Sequence, residues 1–295
     1  NPAYSACHQE AYRRGAISLC YGKDPAPHLL SFLFGYLLSQ ADISIHCPVT
    51  MTGAVAFVLA HHAPVALRRA YLPGLTARAG RVRTAATWVS ERQGGSDVGA
   101  AQTEARPEGG VWRLYGEKWF ASNAGADLAL VIARQEGAPA GVRGLGCYLV
   151  ETGQAEDGTK GVWVRRLKDK LGTRGLATGE IEFDGAAAEE VPPPPGGLKT
   201  MMQAIGYSRL HNAFAAVAVE RRALLEALCW AAGREAFGGP LAGYPLVRES
   251  LLDLLVRLEG DLCLSLEAGL AFDAALTEPD RQPWLRLVTA LAKYR

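Results

Sequence analysis

The sequence lacks the spacings that mark a disulfide framework or a zinc site. Neither a close cysteine pair nor a Cys-x-x-Cys motif is present, and the histidines have no partner at metal-ligand spacing. We therefore predict no metal site, a cytoplasmic location, and reduced, mostly buried thiols at all six cysteines. These are Cys7, Cys20, Cys47, Cys147, Cys229 and Cys263.

The sequence also lacks an excess of either charge. Its 31 Lys and Arg residues face 30 Asp and Glu residues, so it has no basic footprint of the kind that binds a phosphate backbone. No apolar run is expected to reach the roughly 18 residues that a membrane span needs, and no basic-then-apolar signal segment opens the sequence. Charge and hydropathy thus predict neither a nucleic-acid nor a membrane partner.

The first segment, residues 1–80, has a helical pattern. Residues 29–40 are apolar nearly all round, which indicates a helix buried in the protein or at a subunit contact, and residues 50–61 are rich in small side chains. Pro48 is expected to end the connection before this second helix, and Pro73 with Gly74 to end a third. We predict an all-α N-terminal domain.

Between residues 81 and 191 the apolar residues alternate with polar ones, which is typical of strands. Short strands at this spacing favour a small antiparallel barrel or sandwich. A turn is expected at Gly116, directly after the third candidate. The candidates are residues 84–89, 102–106, 111–115, 128–133, 145–151, 162–167 and 179–183.

A proline-rich linker is predicted at residues 192–197, and residues 198–295 are helical again. Residues 201–237 form one expected helix, and residues 246–276 form a second, whose apolar residues recur three and four apart. A further helix is expected from Trp284. The fold class is therefore α+β and multidomain, with a helical bundle after the β domain.

Two stretches of the β domain are candidates for ligand binding. Residues 87–97, TWVSERQGGSD, run from a strand into a glycine pair that lets the backbone approach a ligand closely. Residues 116–123, GEKWFASN, place an aromatic pair beside a hydroxyl. Ser90 and Ser122, each near an aromatic side chain, favour a binding surface for a flat polar ring. An ordinary β-hairpin with a glycine turn is the alternative.

The two stretches resemble the flavin-contacting segments of the acyl-CoA dehydrogenase family, which usually read TEPxxGSD and GxKxxITN. Arg92 and Gln93 in place of Pro-x, residues 166–174 (RLKDKLGTR) and residues 46–52 (HCPVTMT) resemble the AidB branch of that family. The chain is identified as a member on several motifs in the expected order. The resemblance implies the helix, β-domain, helix layout, FAD as cofactor, and α,β-dehydrogenation of an acyl-CoA thioester.

The resemblance also assigns roles in the β domain. Ser96 is implied at the diphosphate or the thioester, Phe120 in stacking on the ring, and Ser122 in donating to it. A core aromatic is the plainer alternative for Phe120. The implied cofactor-binding residues of this domain are Thr87, Trp88, Val89, Ser90, Ser96, Phe120, Ala121 and Ser122.

Residues 234–238, REAFG, match the family's Arg-x-x-Phe-Gly motif. The match implies that Arg234 and Phe237 reach the cofactor across a subunit interface, a contact that suits the planar guanidinium. It therefore implies a homo-oligomer, a dimer or a tetramer, that shares FAD. The alternative for Arg234 is an ordinary cation near a helix end. Arg209 aligns with a family arginine close to the substrate.

The family's catalytic glutamate has no counterpart here. It follows a Gly-Gly-x-Gly-Tyr signature that does not occur, and the alternative position on the long helix is Ser208. Pro245 replaces a cofactor-contacting glutamine of many relatives. We assign no catalytic residue and expect further sequence beyond Arg295; a fragment unable to carry out the reaction is the alternative.

Three interpretations of function therefore compete. The first is a FAD-dependent acyl-CoA dehydrogenase. The second is an AidB-like alkylation-damage-response flavoprotein that binds DNA through a C-terminal region outside these residues, and the third is a truncated module that uses the fold only for association. The basic run of Lys168, Lys170 and Arg174 is diagnostic of the branch. Its residues are expected to form a solvated edge of the β domain, without an assigned role.

Overall fold

A computed structural model describes residues 2–153, 160–191 and 196–295. The chain forms two compact units, one of Asn1–Tyr21 with Ser44–Ser208 and one of Gly22–Ile43 with Arg209–Arg295. Packing defines these units, whereas the predicted domains follow chain order, so the boundaries at residues 81 and 192 stay predictions. Most of the predicted linker lies outside the described residues.

The first unit contains α1 (Pro2–Arg13), nearly all of α3 (Ile43–His61) and α4 (Val65–Leu75). By length and composition α3 would suffice to cross a membrane, so the expectation that no such run exists was wrong. However, 83% of its apolar window is buried inside the protein, as in a core helix. His46 of this helix is buried, and its Nε2 lies 3.1 Å from the Thr50 hydroxyl.

Of the two proline breaks predicted in this unit, the one at Pro48 was wrong, and the one at Pro73 and Gly74 falls one residue before the observed helix end. Pro48 lies inside α3, where its missing N–H would leave the Ser44 carbonyl without its helical donor. The Tyr4 hydroxyl donates to that carbonyl at 3.3 Å. Pro73 lies inside α4, whose last residue, Leu75, is fully buried and holds the final turn against the core.

All seven predicted strands are present, and two of them are much longer than predicted. They are β1 (Ala85–Trp88), β2 (Glu104–Glu108), β3 (Val111–Ser122), β4 (Leu128–Gln135), β5 (Leu145–Glu151), β6 (Val162–Leu167) and β7 (Thr178–Glu190). Pairings β4–β2–β3–β7–β5 return to β4, so the sheet closes on itself, with β6 on β7. The β1–β4 and β2–β4 pairings are parallel, which the antiparallel prediction did not include.

The predicted turn at Gly116 was also wrong, because β3 continues through it to Ser122. Gly116 has a φ of 129° and sits next to a register shift between Leu114 and Tyr115. A Cβ at this position would lie 2.8 Å from the Cα of Thr103. The glycine therefore bends a strand against its neighbour rather than ending it.

The second unit contains α2 (His28–Ser39), the part of α5 (Gly197–Gly233) from Arg209 onward, α6 (Pro245–Thr277) and α7 (Gln282–Tyr294). The Asp273 carboxylate of α6 accepts hydrogen bonds from the backbone N–H groups of His28 (2.7 Å) and Leu29 (2.9 Å). It thereby caps the N-terminus of α2, where a negative charge is favourable.

Three further expectations need correction. Helix α5 ends at Gly233 instead of continuing to residue 237, and Glu235–Ala236 (β8) then pairs with Gly239–Pro240 (β9). The predicted apolar stripe of α6 is only partly inside, since Leu254 and Leu255 are exposed. All six cysteines are free, but only two are buried, Cys20 and Cys147.

Candidate functional site

The structure brings the two predicted ligand-binding stretches together in the first unit. The backbone N–H of Trp119 donates to the Ser90 carbonyl at 2.9 Å. The Trp88 indole donates to the Ser122 carbonyl at 2.9 Å, and the Asn123 amide donates to the Ala85 carbonyl at 3.0 Å. The strand after residue 84 and the end of β3 are thus tied side by side along their length.

A buried ion pair joins the same two stretches. The Lys118 ammonium donates to the Glu91 carboxylate at 2.6 Å, and the two residues are only 1% and 3% exposed. The carboxylate also accepts from the backbone N–H groups of Gln102 (2.6 Å) and Thr103 (3.1 Å) and from the Thr103 hydroxyl (2.7 Å). Such a pair is tolerated inside a protein only when its remaining lone pairs find donors, as they do here.

The environment of Glu91 fixes its ionisation. Burial alone would raise the pKa of this carboxyl, but the Lys118 ammonium and the surrounding donors lower it to about 2. Burial lowers the pKa of Lys118 in turn, and the carboxylate opposes that shift. Because the carboxylate accepts hydrogen bonds from four groups besides Lys118, including the Gln93 amide, we assign it the charged form at neutral pH.

A β-bulge places the aromatic pair outward. Lys118 pairs with Ile181, whereas Ala121 pairs with Gly179, so three steps on β3 match two on β7. Lys118 and Ala121 are both buried, and the two residues between them therefore face away from the core. Phe120 is 58% exposed, so its apolar ring is open to a ligand.

Cations lie over the outward rings. The Lys168 ammonium is 3.3 Å from the ring centroid of Trp119 and 4.7 Å from that of Phe120, and the Glu180 carboxylate holds it at 2.6 Å. The Arg92 guanidinium lies 4.4 Å from the Trp119 centroid. The Lys168 side chain is only 11% exposed, so the expectation of a solvated edge is wrong for it.

The other two residues of the basic run, Lys170 and Arg174, differ in exposure. Lys170 is half-buried and donates to the Leu176 carbonyl at 2.8 Å, whereas Arg174 is exposed and pairs with Asp169 at 2.9 Å. Only Arg174 therefore fits the predicted solvated edge. Chain order gave no signal that Lys168 would lie over the aromatic pair, because the contact crosses strands β6, β7 and β3.

The glycine pair gives the first stretch its tight path. A Cβ on Gly95 would lie 2.4 Å from the Ser90 Oγ and 3.2 Å from its Cβ, so only glycine fits beside that hydroxyl. Gly94 exchanges two backbone hydrogen bonds with Glu91 and closes the turn. Ser96 follows on the exposed side of this turn.

The predicted site residues differ in what they can offer. Ser90 and Ser122 each offer a half-buried hydroxyl. Thr87 and Val89 are also half-buried, while Ser96 and Phe120 are exposed. Trp88 and Ala121 are buried in the core, so a ligand reaches them only through the backbone. An exposed ring with hydroxyl groups nearby fits a flat ring system that carries hydrogen-bonding atoms at its edge.

The other predicted site residues belong to the second unit. Arg209 is exposed on α5, and Arg234 follows the end of that helix. Phe237 is 96% exposed at the tip of the β8–β9 hairpin, with a φ of 52°. The Tyr244 hydroxyl fixes the hairpin by donating to the Ala236 carbonyl at 2.6 Å. In the part of the chain that the structure describes, no cluster of potential metal ligands is found.

Comparisons with known proteins match this geometry to a family. The acyl-CoA dehydrogenase middle domain matches residues 86–186, and the acyl-CoA dehydrogenase C-terminal domain matches residues 196–295. The chain belongs to the acyl-CoA dehydrogenase family. Residues 1–79 of this family member match the N-terminal domain of the adaptive response protein AidB, which confirms the predicted branch.

A relative and two solved structures illustrate the similarity. The putative acyl-CoA dehydrogenase AidB of Escherichia coli K12 is 32% identical over 88% of this chain and 48% of its own length. Caenorhabditis elegans ACDH-11, solved in complex with C11-CoA, is 28% identical with a TM-score of 0.90, over 99% of this chain and 52% of that one.

The second structure is more distant and shows the fold alone. A glutaryl-CoA dehydrogenase from Mycobacterium smegmatis, solved in complex with FADH2, is 21% identical with a TM-score of 0.82, over 98% of this chain and 75% of that one. The predicted helical, β and helical layout is therefore confirmed. This family member spans about half the length of the curated AidB of E. coli and of a curated C. elegans relative that it matches.

Proposed function

We propose that this chain forms the flavin-binding part of a FAD-dependent acyl-CoA dehydrogenase, an oxidoreductase that desaturates an acyl-CoA thioester. The observation that carries the proposal is the bulge in β3, which presents the exposed Phe120 ring two residues from the Ser122 hydroxyl. Membership of the family and the likeness to ACDH-11, whose structure was solved with C11-CoA, support the same ligand classes.

The residues of the first unit would divide the work of holding FAD. Phe120 would stack on the ring, Ser122 would donate to its edge, and the backbone and hydroxyl of Ser90 would bind beside it. Ser96, on the exposed side of the glycine turn, would reach the diphosphate or the thioester. The chemistry that FAD supplies when bound is acceptance of the hydride from the acyl β-carbon.

We assign removal of the α-proton to no residue of this chain. The alternative base position, Ser208, carries a hydroxyl on α5, and a neutral hydroxyl is a poor base without an activating partner. Arg209, exposed on the same helix, would contact the substrate. The residues in hand therefore account for cofactor binding and orientation but not for the complete reaction.

We further propose that the protein acts as a homo-oligomer, a dimer or a tetramer, in which FAD is shared. Arg234 would then reach the diphosphate of a partner subunit's cofactor, and Phe237 would contact the same cofactor. Their support is that the hairpin projects a fully exposed Phe237 from the second unit. Covering this ring with a partner subunit would remove its apolar surface from water, which is favourable.

The test is binding of FAD to the purified protein, measured by quenching of flavin fluorescence and by the visible absorbance spectrum. Phe120→Ala should weaken FAD binding about tenfold, because loss of one stacking contact costs on the order of 1 kcal/mol. Trp163→Ala is the matched control, since Trp163 is an exposed aromatic on β6, which is separated from β3 by β7 and lies outside the proposed site.

The two parts of the proposal fail separately. A wild-type protein that binds no FAD would contradict the flavin site. In the whole protein, FAD that binds but whose absorbance is not bleached by any acyl-CoA under anaerobic conditions would contradict the dehydrogenase activity and leave the site in place. Equal effects of Phe120→Ala and Trp163→Ala would remove Phe120 from the site.

The AidB-type N-terminal domain at residues 1–79 favours a second candidate, an AidB-like role in the response to alkylation damage. DNA binding would then require a region outside these residues, because the charges here balance. A mobility-shift titration of the whole protein, including that region, with duplex DNA at two salt concentrations tests this role. Binding that does not weaken with salt, or no binding, would contradict it.

A further inference from the structure

Three polar side chains of the first unit, Lys170, Thr178 and Ser122, are linked in series by hydrogen bonds. The Lys170 amine donates to the Thr178 hydroxyl at 2.9 Å and to the Leu176 carbonyl at 2.8 Å. The Thr178 hydroxyl is in turn 3.0 Å from the Ser122 hydroxyl, directly across the β3–β7 pairing. Thr178 is buried, so these contacts take place away from solvent.

The donor at Lys170 fixes which atom donates in each of these two hydrogen bonds. A lysine ammonium has hydrogens to donate and no lone pair to accept with. The Thr178 oxygen therefore accepts from Lys170, and its single hydrogen is left to donate to the Ser122 oxygen. If Ser122 donated to Thr178 instead, the buried Thr178 hydrogen would have no acceptor among the described residues, at a cost of about 1–3 kcal/mol.

The hydrogen of Ser122 is then free for a ligand. Ser122 accepts from Thr178 through one lone pair, and no described residue other than Thr178 contacts its hydroxyl. Ser122 is half-buried and lies two residues after the exposed Phe120 ring. The hydroxyl is thus prepared as a donor beside the surface on which a flat ring would stack.

We propose that Lys170 and Thr178 are positioning residues that fix Ser122 as a hydrogen-bond donor to the bound flavin and place a positive charge behind it. The inference rests on the proposed function. A donor backed by a cation interacts most strongly with an acceptor that gains negative charge, because linked hydrogen bonds polarise one another. The hydrogen bonds from Lys170 through Thr178 to Ser122 should therefore favour the reduced, more electron-rich flavin over the oxidised one.

The experiment measures the midpoint potential and the affinity of the bound FAD in matched variants. Thr178→Val keeps the shape of the side chain and removes the hydroxyl, Thr178→Ser keeps the hydroxyl, and Lys170→Met removes the donor. Arg174→Met removes one positive charge from the same segment, where Arg174 is exposed, and serves as the control. Denaturant unfolding of each variant checks that it is folded.

The expected result is a lower potential for Thr178→Val and Lys170→Met. A preference for the reduced flavin that falls about tenfold corresponds to about 30 mV for a two-electron couple. Thr178→Ser and Arg174→Met should retain the wild-type potential. Adding Thr178→Val to Ser122→Ala should cause no further shift, because the chain then has no hydroxyl to orient.

The outcomes separate this inference from the function on which it rests. A wild-type protein without FAD would overturn both. A wild-type protein that binds FAD, with a potential that Thr178→Val leaves unchanged, would overturn the inference alone. If Lys170→Met does not fold, the pair Thr178→Val and Thr178→Ser still decides: equal potentials for the two variants would overturn it.

Discussion

The closed sheet of the first unit buries a charged pair, whereas the long helices of the second unit leave several large apolar side chains exposed. In the sheet, a carboxylate and an ammonium, Glu91 and Lys118, lie among the most buried side chains. On the helices, large apolar side chains face outward; Trp230 is 69% exposed, Leu246 77% and Val256 67%.

The difference teaches which parts are complete in themselves. Every polar atom of the Glu91 carboxylate has a donor from its own unit, so this part of the sheet needs nothing more to hold its two ligand-binding stretches together. The outward apolar side chains of the second unit are left exposed by the residues that the structure describes. They fit the proposal of a homo-oligomer, in which another subunit would cover them.

Breaking the buried pair of the sheet should cause the largest change in the free energy of unfolding. Lys118→Met leaves the Glu91 carboxylate buried without its counter-ion, which should lower the free energy of unfolding by about 3–5 kcal/mol. The control is Glu117→Gln, which breaks the exposed pair with Arg92 one residue away on both stretches and should cost about 0–1 kcal/mol. Urea unfolding followed by circular dichroism measures both; equal losses would contradict the contrast.

A smaller effect should appear on acidification. The pKa of Glu91 is about 2 in the folded protein against an ordinary value of 4.5, so its stabilisation is complete above pH 4.5 and is lost as the pH falls towards 2. Between about pH 6 and about pH 3 the wild type should lose on the order of 2 kcal/mol more than Glu91→Gln. Urea unfolding at the two pH values measures this difference, and parallel losses in the two proteins would refute it.

The sequence predicted these regions unequally, and particular residues show why. All seven strands and the long helices follow from local periodicity, and the family follows from motifs that are local in the chain. Pro48 and Gly116 were mispredicted because distant residues decide their roles, the Tyr4 hydroxyl for the one and the backbone of Thr103 for the other.

The candidate site shows the same limit. Residues 87–97 and 116–123 could be chosen from the sequence, since their glycines, aromatics and hydroxyls lie close together in the chain. The bulge that turns Phe120 outward, the partner of Glu91, and the position of Lys168 over the rings depend on strand pairing. No local pattern carries that information, because each contact joins residues 25 or more apart or depends on register.

A substitution at a glycine of the sheet, Gly116, tests how tightly β3 packs against its neighbour. Gly116→Ala should cost about 1–3 kcal/mol, because the residue has a φ of 129° and a new Cβ would lie 2.8 Å from the Cα of Thr103. Thr103 is also a donor to Glu91, so the change should reach the buried pair. Thermal unfolding gives the loss; an unchanged melting temperature would show that β3 relaxes freely at this point.

A glycine in the helices should give the smallest effect, with the opposite sign. Gly260 lies inside α6 at an exposed position, and a Cβ there would meet no atom within 4 Å. Gly260→Ala should therefore raise the free energy of unfolding by about 0.5–1 kcal/mol, because alanine loses less backbone freedom in a helix. Urea unfolding below the concentration at which the protein associates isolates this effect. Destabilisation that appears only when the protein is concentrated would mean that another subunit packs against Gly260, and destabilisation at every concentration would mean that the helices are as closely packed as the sheet.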